Sequence, residues 1–444
     1  MSHVYIVHCV DTEGPLYEGL EANFKRLKNI YGIDLEATKQ NLEAIRNRQL
    51  DLGDLTDAVA NTFDVSRTVF NEDWEQLKNM LQRVTSKEFR DQLIDSEGSG
   101  WKYNWFCLDH VGFKGENPRR RDVGDHKIFD FYNQHMKRDS SFGSIQWHYH
   151  PLPITSHFHN GGTTYLNSGN VSEILAKKII DRKWFPSCFR PGFHTERPDS
   201  NWFLEQWIPF DFANQSTESG FVDQPDLSGG RYGNWERATK SWVPYHPDYD
   251  DYQKKGNMRR WIARCLNMHA RLREISQKDV SEAFREASMG KNVLLSFTNH
   301  DFRNMAPEIE KIMGYIKNSS NFFHDVSFSF EEAANGFRKC LGITKKKPDL
   351  STNLVKLRDN KWELIVNAGD EIFGPQPFLA LKTRSGQYFW ENFDFKDNLS
   401  WSFIFDQEHA PIEMIEKIGI ACNSPSGVCE VKVIDVNKDV GQFK

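Results

Sequence analysis

Strand-like and helix-like segments alternate from the N-terminus to about residue 340, and this alternation limits the chain to a few folds. Apolar runs rich in β-branched and aromatic residues predict strands at 4–10, 103–108, 144–149, 185–189, 210–213, 292–297 and 325–329. Apolar residues spaced three and four apart predict helices at 126–137, 171–182, 200–206, 256–273, 278–289, 306–317 and 330–339. Strands that alternate with helices predict an α/β fold with a parallel sheet, either open or closed into a barrel.

A second helical region interrupts this alternation directly after the first strand. Leu20, Phe24, Leu27 and Tyr31 recur at spacings of three and four, and similar spacings continue to about residue 93. We therefore predict a helical insertion at about 16–100, between the first strand and the second.

The pattern changes after a charged, proline-containing linker at 344–349. Short strand-like runs follow, separated by turn residues, at 354–357, 362–366, 378–381, 388–390, 402–405, 417–421 and 428–433. Such a series predicts an all-β sandwich. The expected organisation is an α/β domain over 1–342 and an accessory β-sandwich over 350–444, in which no catalytic constellation stands out.

Composition narrows the functional class. The mean hydropathy of −0.64, with no apolar run long enough to cross a bilayer, predicts a soluble chain without a membrane span. The formal net charge of −6 gives no signature of nucleic-acid binding. The first residues indicate a strand rather than a signal peptide, which favours a cytoplasmic location. The seven cysteines would stay reduced there, although Cys422 and Cys429 could meet across a hairpin.

Two histidines at the end of a predicted strand are the most informative local feature. His148 and His150 lie on either side of Tyr149 and precede Pro151, which ends the strand. Residues two apart on a strand point to the same side, so both imidazoles project together. Two convergent imidazoles supply two of the three protein ligands of a typical catalytic metal site. In α/β barrels, the carboxyl ends of the strands hold the chemistry.

Polar residues also follow three other predicted strands. The first strand ends in Asp11 and Glu13, which are two apart, so one carboxylate can bind a metal while the other takes a proton. Arg190 follows a later strand, where a guanidinium can hold a carboxylate in position. His300 and Asp301 follow another strand and suggest a protonatable acid held by a carboxylate.

The order and content of these clusters resemble the polysaccharide deacetylase family, whose NodB-homology domain is a distorted (β/α) barrel. The family's first motif reads Thr-Phe-Asp-Asp-Gly-Pro. Aligning its Gly-Pro with Gly14 and Pro15 places the metal-binding carboxylate at Glu13 and the general base near Asp11, with an exchange of the two roles left open. The resemblance covers about 1–340 apart from the insertion, and it leaves the β domain unexplained.

The histidine pair departs from the family pattern. The family's two metal-binding histidines are four residues apart, whereas His148 and His150 are two apart. His157 or His159 could therefore replace His150 as the second ligand. The resemblance implies a divalent metal, with zinc as the first choice.

The family's later motifs match this chain at Arg190-Pro191 and at the strand end 295–300. The resemblance then implies metal-assisted hydrolysis of an N-acetyl group. Asp11 would take a proton from the attacking water, Arg190 would orient Asp11, and His300 would donate a proton to the leaving amine. The implied substrate is a sugar, glycan or sugar-nucleotide precursor, as in bacterial O-antigen or capsule biosynthesis. The residues we expect to contact the substrate are Tyr149, His194, Trp242, His246 and Asp301.

Two alternatives remain open from the sequence. A catalytically inactive carbohydrate-binding or assembly protein could keep the barrel, and the altered first and second motifs favour that hypothesis. An amidohydrolase with an HxH metal pair ranks last, because that family carries HxH on its first strand and this chain carries carboxylates there. A homo-oligomer is compatible with all three hypotheses.

Overall fold

The computed structural model describes residues 2–109, 126–137, 143–151, 164–166, 170–217, 233–269 and 274–437. In its amino-terminal part the strands are β1 (His3–Thr12), β2 (Tyr103–Leu108), β3 (Gly143–Tyr149), β4 (Cys188–Pro191), β5 (Phe210–Asn214), β6 (Trp261–Asn267), β7 (Val293–His300) and β8 (Ser327–Phe330). The helices are α1 (Leu20–Tyr31), α2 (Lys39–Arg46), α3 (Thr56–Thr62), α4 (Val65–Thr68), α5 (Trp74–Val84), α6 (Lys87–Arg90), α7 (Lys127–Met136), α8 (Asn170–Arg182), α9 (Pro198–Trp207), α10 (Gln277–Ser288), α11 (Ala306–Phe322) and α12 (Ala333–Leu341).

Strands β1 to β7 form a closed parallel barrel in sequence order, so the open-sheet alternative is excluded. The second half of β1 pairs with β2, whereas its first half pairs with β8, which inserts between β1 and β2 at the amino end. Asn104 bridges this split. Its amide donates to the carbonyls of His8 (3.3 Å) and Glu331 (3.1 Å), and its oxygen accepts from the backbone N–H of Ala333 (2.7 Å). All carboxyl ends of the barrel strands therefore meet on one face.

The barrel interior is apolar towards its amino end. Phe337 of α12 stacks on Phe210 with ring centroids 4.5 Å apart, and α12 closes that end. Burying a side chain of this size contributes about 1.5–3 kcal/mol relative to leaving it exposed. The buried residues packed here are Val7, Cys9, Phe106, Cys188, Phe210, Phe212, Ala263, Cys265, Leu294 and Phe337. This core supports the strand ends that carry the polar side chains.

The prediction of a helix at 256–273 is wrong, because Trp261–Asn267 forms barrel strand β6. Residues 262–267 are all buried, so the strand shows none of the polar–apolar alternation that would reveal it. A short apolar run buried on both faces has no periodicity to separate it from a buried helix. The strand predicted at 185–189 also runs later, over Cys188–Pro191, which places Arg190 inside β4.

The insertion predicted at about 16–100 is helical and contains α1 to α6. It has a small core of its own, made by Phe24, Leu27, Leu42, Ile45, Val59 and Phe63. Asn71 ties it to the barrel, because its side-chain amide donates to the carbonyls of Asp301 (2.8 Å) and Arg303 (3.1 Å). The insertion therefore packs against the loop that follows β7, on the carboxyl face of the barrel.

The C-terminal part contains two four-stranded antiparallel sheets, as the sequence predicted for an all-β region. Its strands are β9 (Leu350–Lys356), β10 (Trp362–Ala368), β11 (Phe373–Thr383), β12 (Tyr388–Glu391), β13 (Asp394–Asp397), β14 (Ser400–Phe405), β15 (Ile415–Asn423) and β16 (Cys429–Asp435). The sheets have the orders β13-β14-β10-β9 and β12-β11-β15-β16. A shared core lies between them, with Trp362, Leu364, Leu381 and Trp401 among its members. Phe378 of β11 also packs on Trp207 of α9, so one sheet lies against the barrel helices.

None of the described helices is long and apolar enough to cross a membrane. All seven cysteines are free, which confirms the prediction of reduced thiols and excludes the Cys422–Cys429 pairing in this structure.

Candidate metal centre

Strand register brings the four predicted polar clusters together on the carboxyl face of the barrel. Asp11 of β1 lies opposite His300 of β7, and His148 of β3 lies opposite Arg190 of β4. Since β2 closes the barrel between β1 and β3, these side chains face a common centre. The parallel strand ends thus assemble residues that are up to 289 positions apart in the chain, from Asp11 to His300.

Glu13, His148 and His150 form a compact group of possible metal ligands. The Nε2 atoms of the two histidines are 2.9 Å apart, and they lie 3.8 Å (His148) and 3.7 Å (His150) from Oε1 of Glu13. Two ligand atoms about 2.0–2.1 Å from a tetrahedral zinc ion would be ~3.3 Å apart, so the three separations fit one ion. Two imidazoles and one carboxylate are also a donor set found in catalytic zinc sites.

The tautomer of His148 suits this role. Its Nδ1 lies 2.9 Å from the carbonyl oxygen of Arg190, which only accepts, so Nδ1 carries the proton and Nε2 presents its lone pair to the cluster. Burial lowers the pKa of His148, but the charges of Asp11 and Glu13 outweigh burial and leave the pKa above its ordinary value. The negative charges of Asp11 and Glu13 therefore attract a cation to this imidazole, and a proton would compete with a metal ion for the lone pair of Nε2.

Gly192 gives His150 its place in the cluster. A Cβ at this position would lie 2.4 Å from Cγ of the His150 imidazole, well inside contact distance. The ring of Phe193 packs edge-on against the same imidazole, with centroids 4.6 Å apart. The turn after β4 therefore fixes the second histidine, and sequence reasoning missed it because the contact joins two different strand ends.

Replacing Gly192 with alanine should push His150 away from Glu13 and weaken zinc binding by about 10–100-fold, the range for losing a group that orients a ligand. The measurement is a competition titration against a chromogenic zinc chelator. Gly314→Ala in α11 is the matched control, because a Cβ there meets no atom within 4 Å. Equal zinc affinity in the two variants would contradict the expected effect.

Asp11 is held by Arg190 rather than by the metal cluster. Nε and Nη2 of Arg190 donate to the two carboxylate oxygens at 2.6 and 2.9 Å, and Thr298 donates to Oδ2 at 3.2 Å. Burial raises the pKa of Asp11, but the Arg190 guanidinium, with His148 and His300, holds the pKa well below its usual range. Asp11 is therefore ionised, and the geometry assigns Glu13 to the cluster and Asp11 to the arginine.

Arg190 is fully buried, and each of its five N–H donors has an acceptor. Two donors go to Asp11, and Nη1 donates to the Phe212 carbonyl (2.6 Å) and to Sγ of Cys265 (3.2 Å). The second proton of Nη2 goes to Nδ1 of His194 at 3.2 Å. His194, predicted as a substrate contact, thus contacts the arginine that holds Asp11.

His300 lies on the other side of the same centre. Its Nε2 is 3.7 Å from Oε1 of Glu13 and 4.0 Å from Oδ2 of Asp11. Burial lowers the pKa of His300 to about 4, in spite of the two carboxylates. Its ring packs on Phe302 with centroids 4.8 Å apart, which limits how far it can turn. His300 is therefore a neutral imidazole facing both carboxylates.

Asp301 does not hold His300, which corrects the sequence prediction. Its carboxylate accepts from the backbone N–H groups of Glu13 (2.8 Å) and Gly14 (3.1 Å) and from the hydroxyl of Tyr132 (2.8 Å). The side chains of adjacent strand residues point to opposite sides, so Asp301 turns away when His300 faces the centre. Asp301 instead fixes the turn that carries Glu13.

Three other predicted substrate contacts lie away from the cluster. The ring of Tyr149 is fully buried between the barrel and α8, because its neighbours on β3 point inward. Trp242 is buried under the guanidinium of Arg264, 4.4 Å from the ring centroid. His246 stacks on Trp261 at the amino end of β6, the opposite end of the barrel. In the described part of the segment between β5 and β6, Trp242 and His246 therefore contribute packing.

Four further residues concern the site: two alternative ligands from the sequence analysis, and two residues that the sequence analysis did not identify. His157 and His159, the other candidates for the second ligand, lie outside the described residues. Gln215 directly follows β5, and Asn267 is the last residue of β6. The amide nitrogen of Gln215 lies 3.1 Å from Nε2 of His194. Sequence reasoning missed both residues. Asn267 was missed because it belongs to the strand that was predicted as a helix.

The fold and the site together define a class: a parallel barrel that carries two histidines and a carboxylate, a possible metal-binding group, at its strand ends. No protein-family model matches this chain, and no curated protein matches it.

Proposed function

We propose that this chain is a metal-dependent hydrolase that removes an N-acetyl group from a sugar, glycan or sugar nucleotide. The observation that carries the proposal is the placement of Glu13, His148 and His150 around one point, with Asp11 and His300 beside it. Three protein ligands leave a fourth position for water or substrate, as catalytic zinc sites do. A purely structural zinc site would fill all four positions with protein atoms.

The donor set suits zinc, and Glu13, His148 and His150 would hold the ion. When bound, the ion supplies Lewis acidity to an amide carbonyl and to a water molecule. The remaining steps belong to the chain's own side chains. Asp11, kept ionised by Arg190, accepts a proton from the attacking water.

The leaving amine needs a proton when the C–N bond breaks, and His300 is the imidazole beside the cluster on β7. We propose that His300, whose Nε2 lies 4.0 Å from Oδ2 of Asp11, takes up the proton that Asp11 accepted from water and delivers it to the amine, so that acetic acid and the free amine are the products. Burial keeps His300 neutral at rest, with its pKa lowered to about 4, and the carboxylates of Glu13 and Asp11 favour the imidazolium form that exists while the proton is passed on. The proposed place in bacterial surface polysaccharide biosynthesis rests on the resemblance to the deacetylase family.

The test is a metal-depletion and reloading assay on the purified full chain. Protein treated with a chelator should release no acetate from N-acetylglucosamine oligosaccharides or from a nucleotide-linked N-acetylhexosamine, and one equivalent of zinc should restore release. Stoichiometric zinc without acetate release from either substrate would contradict the enzyme proposal. That outcome, together with binding of the oligosaccharide, would favour the inactive carbohydrate-binding alternative.

Replacing Asp11 with asparagine should lower kcat about 10²–10⁴-fold, the range for losing a positioned general base. The amide oxygen still accepts one of the two Arg190 hydrogen bonds, but the amide NH2 cannot accept the other, and the amide cannot take a proton. Zinc content measured by atomic absorption should stay at one equivalent, because Asp11 is bound to the arginine. Loss of zinc with loss of activity would instead assign Asp11 to the metal and reverse the roles given to Asp11 and Glu13.

A further inference from the structure

The turn after β4 has a costly backbone conformation. Phe193 and His194 have φ angles of 53° and 51°, so two consecutive residues with side chains adopt the left-handed region. Such conformations are uncommon for residues other than glycine, and they persist where the surrounding structure enforces them. Strain of this kind is concentrated at functional sites. This turn lies between Arg190 and the candidate metal ligand His150.

Contacts on both sides hold the turn in place. The indole of Trp235 donates to the carbonyl of His194 (2.8 Å), and the N–H of Gly233 donates to the carbonyl of Phe193 (3.1 Å). Two residues further on, Glu196 is fully buried and pairs with Arg260 at 2.6 Å. These contacts come from Gly233 and Trp235 in the loop after β5 and from Arg260, the residue before β6, so two stretches outside the turn hold its backbone conformation.

The conformation directs His194 at Arg190. Its Nδ1 accepts the one guanidinium proton that Asp11, Phe212 and Cys265 leave without an acceptor. A guanidinium only donates, so Nδ1 must carry the lone pair and the ring proton must be on Nε2. The Gln215 atom 3.1 Å from Nε2 is the amide nitrogen, which also donates, so this tautomer requires the Gln215 amide to exchange its oxygen and nitrogen positions. Burial and the charge of Arg190 lower the pKa of His194, which agrees with a neutral ring.

We infer that His194 is a positioning residue that fixes the rotation of the Arg190 guanidinium and, through it, the direction of the Asp11 carboxylate. Without Nδ1 of His194, a buried N–H group of Arg190 loses its acceptor. Turning the guanidinium towards another acceptor would then lower the free energy. Any such turn changes the two hydrogen bonds to Asp11, since the guanidinium is planar and rigid. The catalytic consequence rests on the proposed function, whereas the geometric consequence does not.

Three substitutions of His194 distinguish the effect of losing the imidazole from the effect of changing the strained backbone. His194→Gly keeps the left-handed backbone without strain but removes the acceptor. His194→Asn places a carbonyl oxygen near the Nδ1 position and tolerates positive φ. His194→Gln places its polar atoms nearer the Nε2 position, so it can keep the Gln215 contact but not the Arg190 contact. Asp359→Gly, at another non-glycine residue with φ 59° in the β-sandwich, is the control for relief of strain alone.

Crystal structures of the variants and steady-state kinetics give independent results. We expect Arg190 to be rotated in His194→Gly and in place in His194→Asn. We also expect kcat to be about ten- to hundredfold lower in His194→Gly and His194→Gln, largely restored in His194→Asn, and unchanged in Asp359→Gly, with KM and zinc stoichiometry unchanged. An Arg190 that keeps its position in His194→Gly overturns the inference, whatever the activity. A wild-type chain without deacetylase activity overturns the proposed function, while the position of Arg190 still tests the inference.

Discussion

Replacing His148 with alanine should abolish stoichiometric zinc binding and, with it, the proposed activity. In the proposed site His148 would supply one of three ligand atoms, and its Nδ1 contact to the Arg190 carbonyl orients the ring. Losing a group that only orients a ligand weakens metal affinity by about 10–100-fold, so losing the ligand itself should exceed that range. Equilibrium dialysis followed by metal analysis measures the effect directly.

A thermal measurement checks the same prediction without activity. A ligand that binds only the folded state, present at 100 times its Kd, adds about 2.7 kcal/mol to the free energy of unfolding. Zinc should therefore raise the Tm of the wild-type chain and leave the Tm of His148→Ala unchanged. His324→Ala is the matched control, because the side chain of His324 is 80% exposed and precedes β8 at the amino end of the barrel, the end opposite the candidate ligands. A zinc-dependent rise in Tm that persists in His148→Ala would place the metal elsewhere.

The elements of the fold were predictable where local patterns carry the information. The alternation of strands and helices, the helical insertion and the series of short C-terminal strands all appear in the structure. The alternation pattern left open and closed sheets undecided, and the barrel was expected only from the resemblance, because closure depends on β1 pairing with β2 through one half and with β8 through the other. Strand β6 was taken for a helix, since residues buried on both faces give no periodicity.

The same division holds for the candidate site. Glu13, His148, Arg190 and His300 were recognisable because parallel strands bring their carboxyl ends together, so each strand end could be examined separately. The contact between Arg190 and Asp11 was expected from the resemblance, whereas the contacts of His300 and Asp301 were not recognisable, since they join different strand ends. Asp301 shows the limit: next to His300 in sequence, it faces the other way and binds the backbone of the β1 turn.

The two-residue spacing of the histidines also has a structural explanation. On β3 this spacing puts His148 and His150 on one side, and Gly192 leaves room for the second ring beside Glu13. Two histidines spaced four apart, as in the deacetylase family, would need a different course of the backbone to bring both rings to one metal ion. The glycine and the left-handed turn after it are therefore the local features that make the shorter spacing usable in this barrel.

Replacing Arg260 with methionine should cost about 3–5 kcal/mol of folding free energy, the range for breaking a buried ion pair from one side. Arg260 is fully buried and donates to Glu196 at 2.6 Å and to Asp211 at 2.7 Å. Without it, two buried carboxylates would face each other with no cation between them. Urea unfolding followed by tryptophan fluorescence measures the change, with Arg285→Met as the control for an exposed arginine.

The pH dependence of this cluster has a defined sign. Burial and the neighbouring Glu196 raise the pKa of Asp211 well above its ordinary value, even with Arg260 present. The folded state therefore binds this proton more tightly than the unfolded state, and Asp211 lowers stability as pH rises from about 3.9 towards its folded pKa. Asp211→Asn should flatten that part of the stability profile and recover part of the loss in the Arg260→Met background. If Arg260→Met unfolds like the Arg285→Met control, the cluster does not anchor the barrel, and the turn that carries His194 must be held by Trp235 and Gly233 instead.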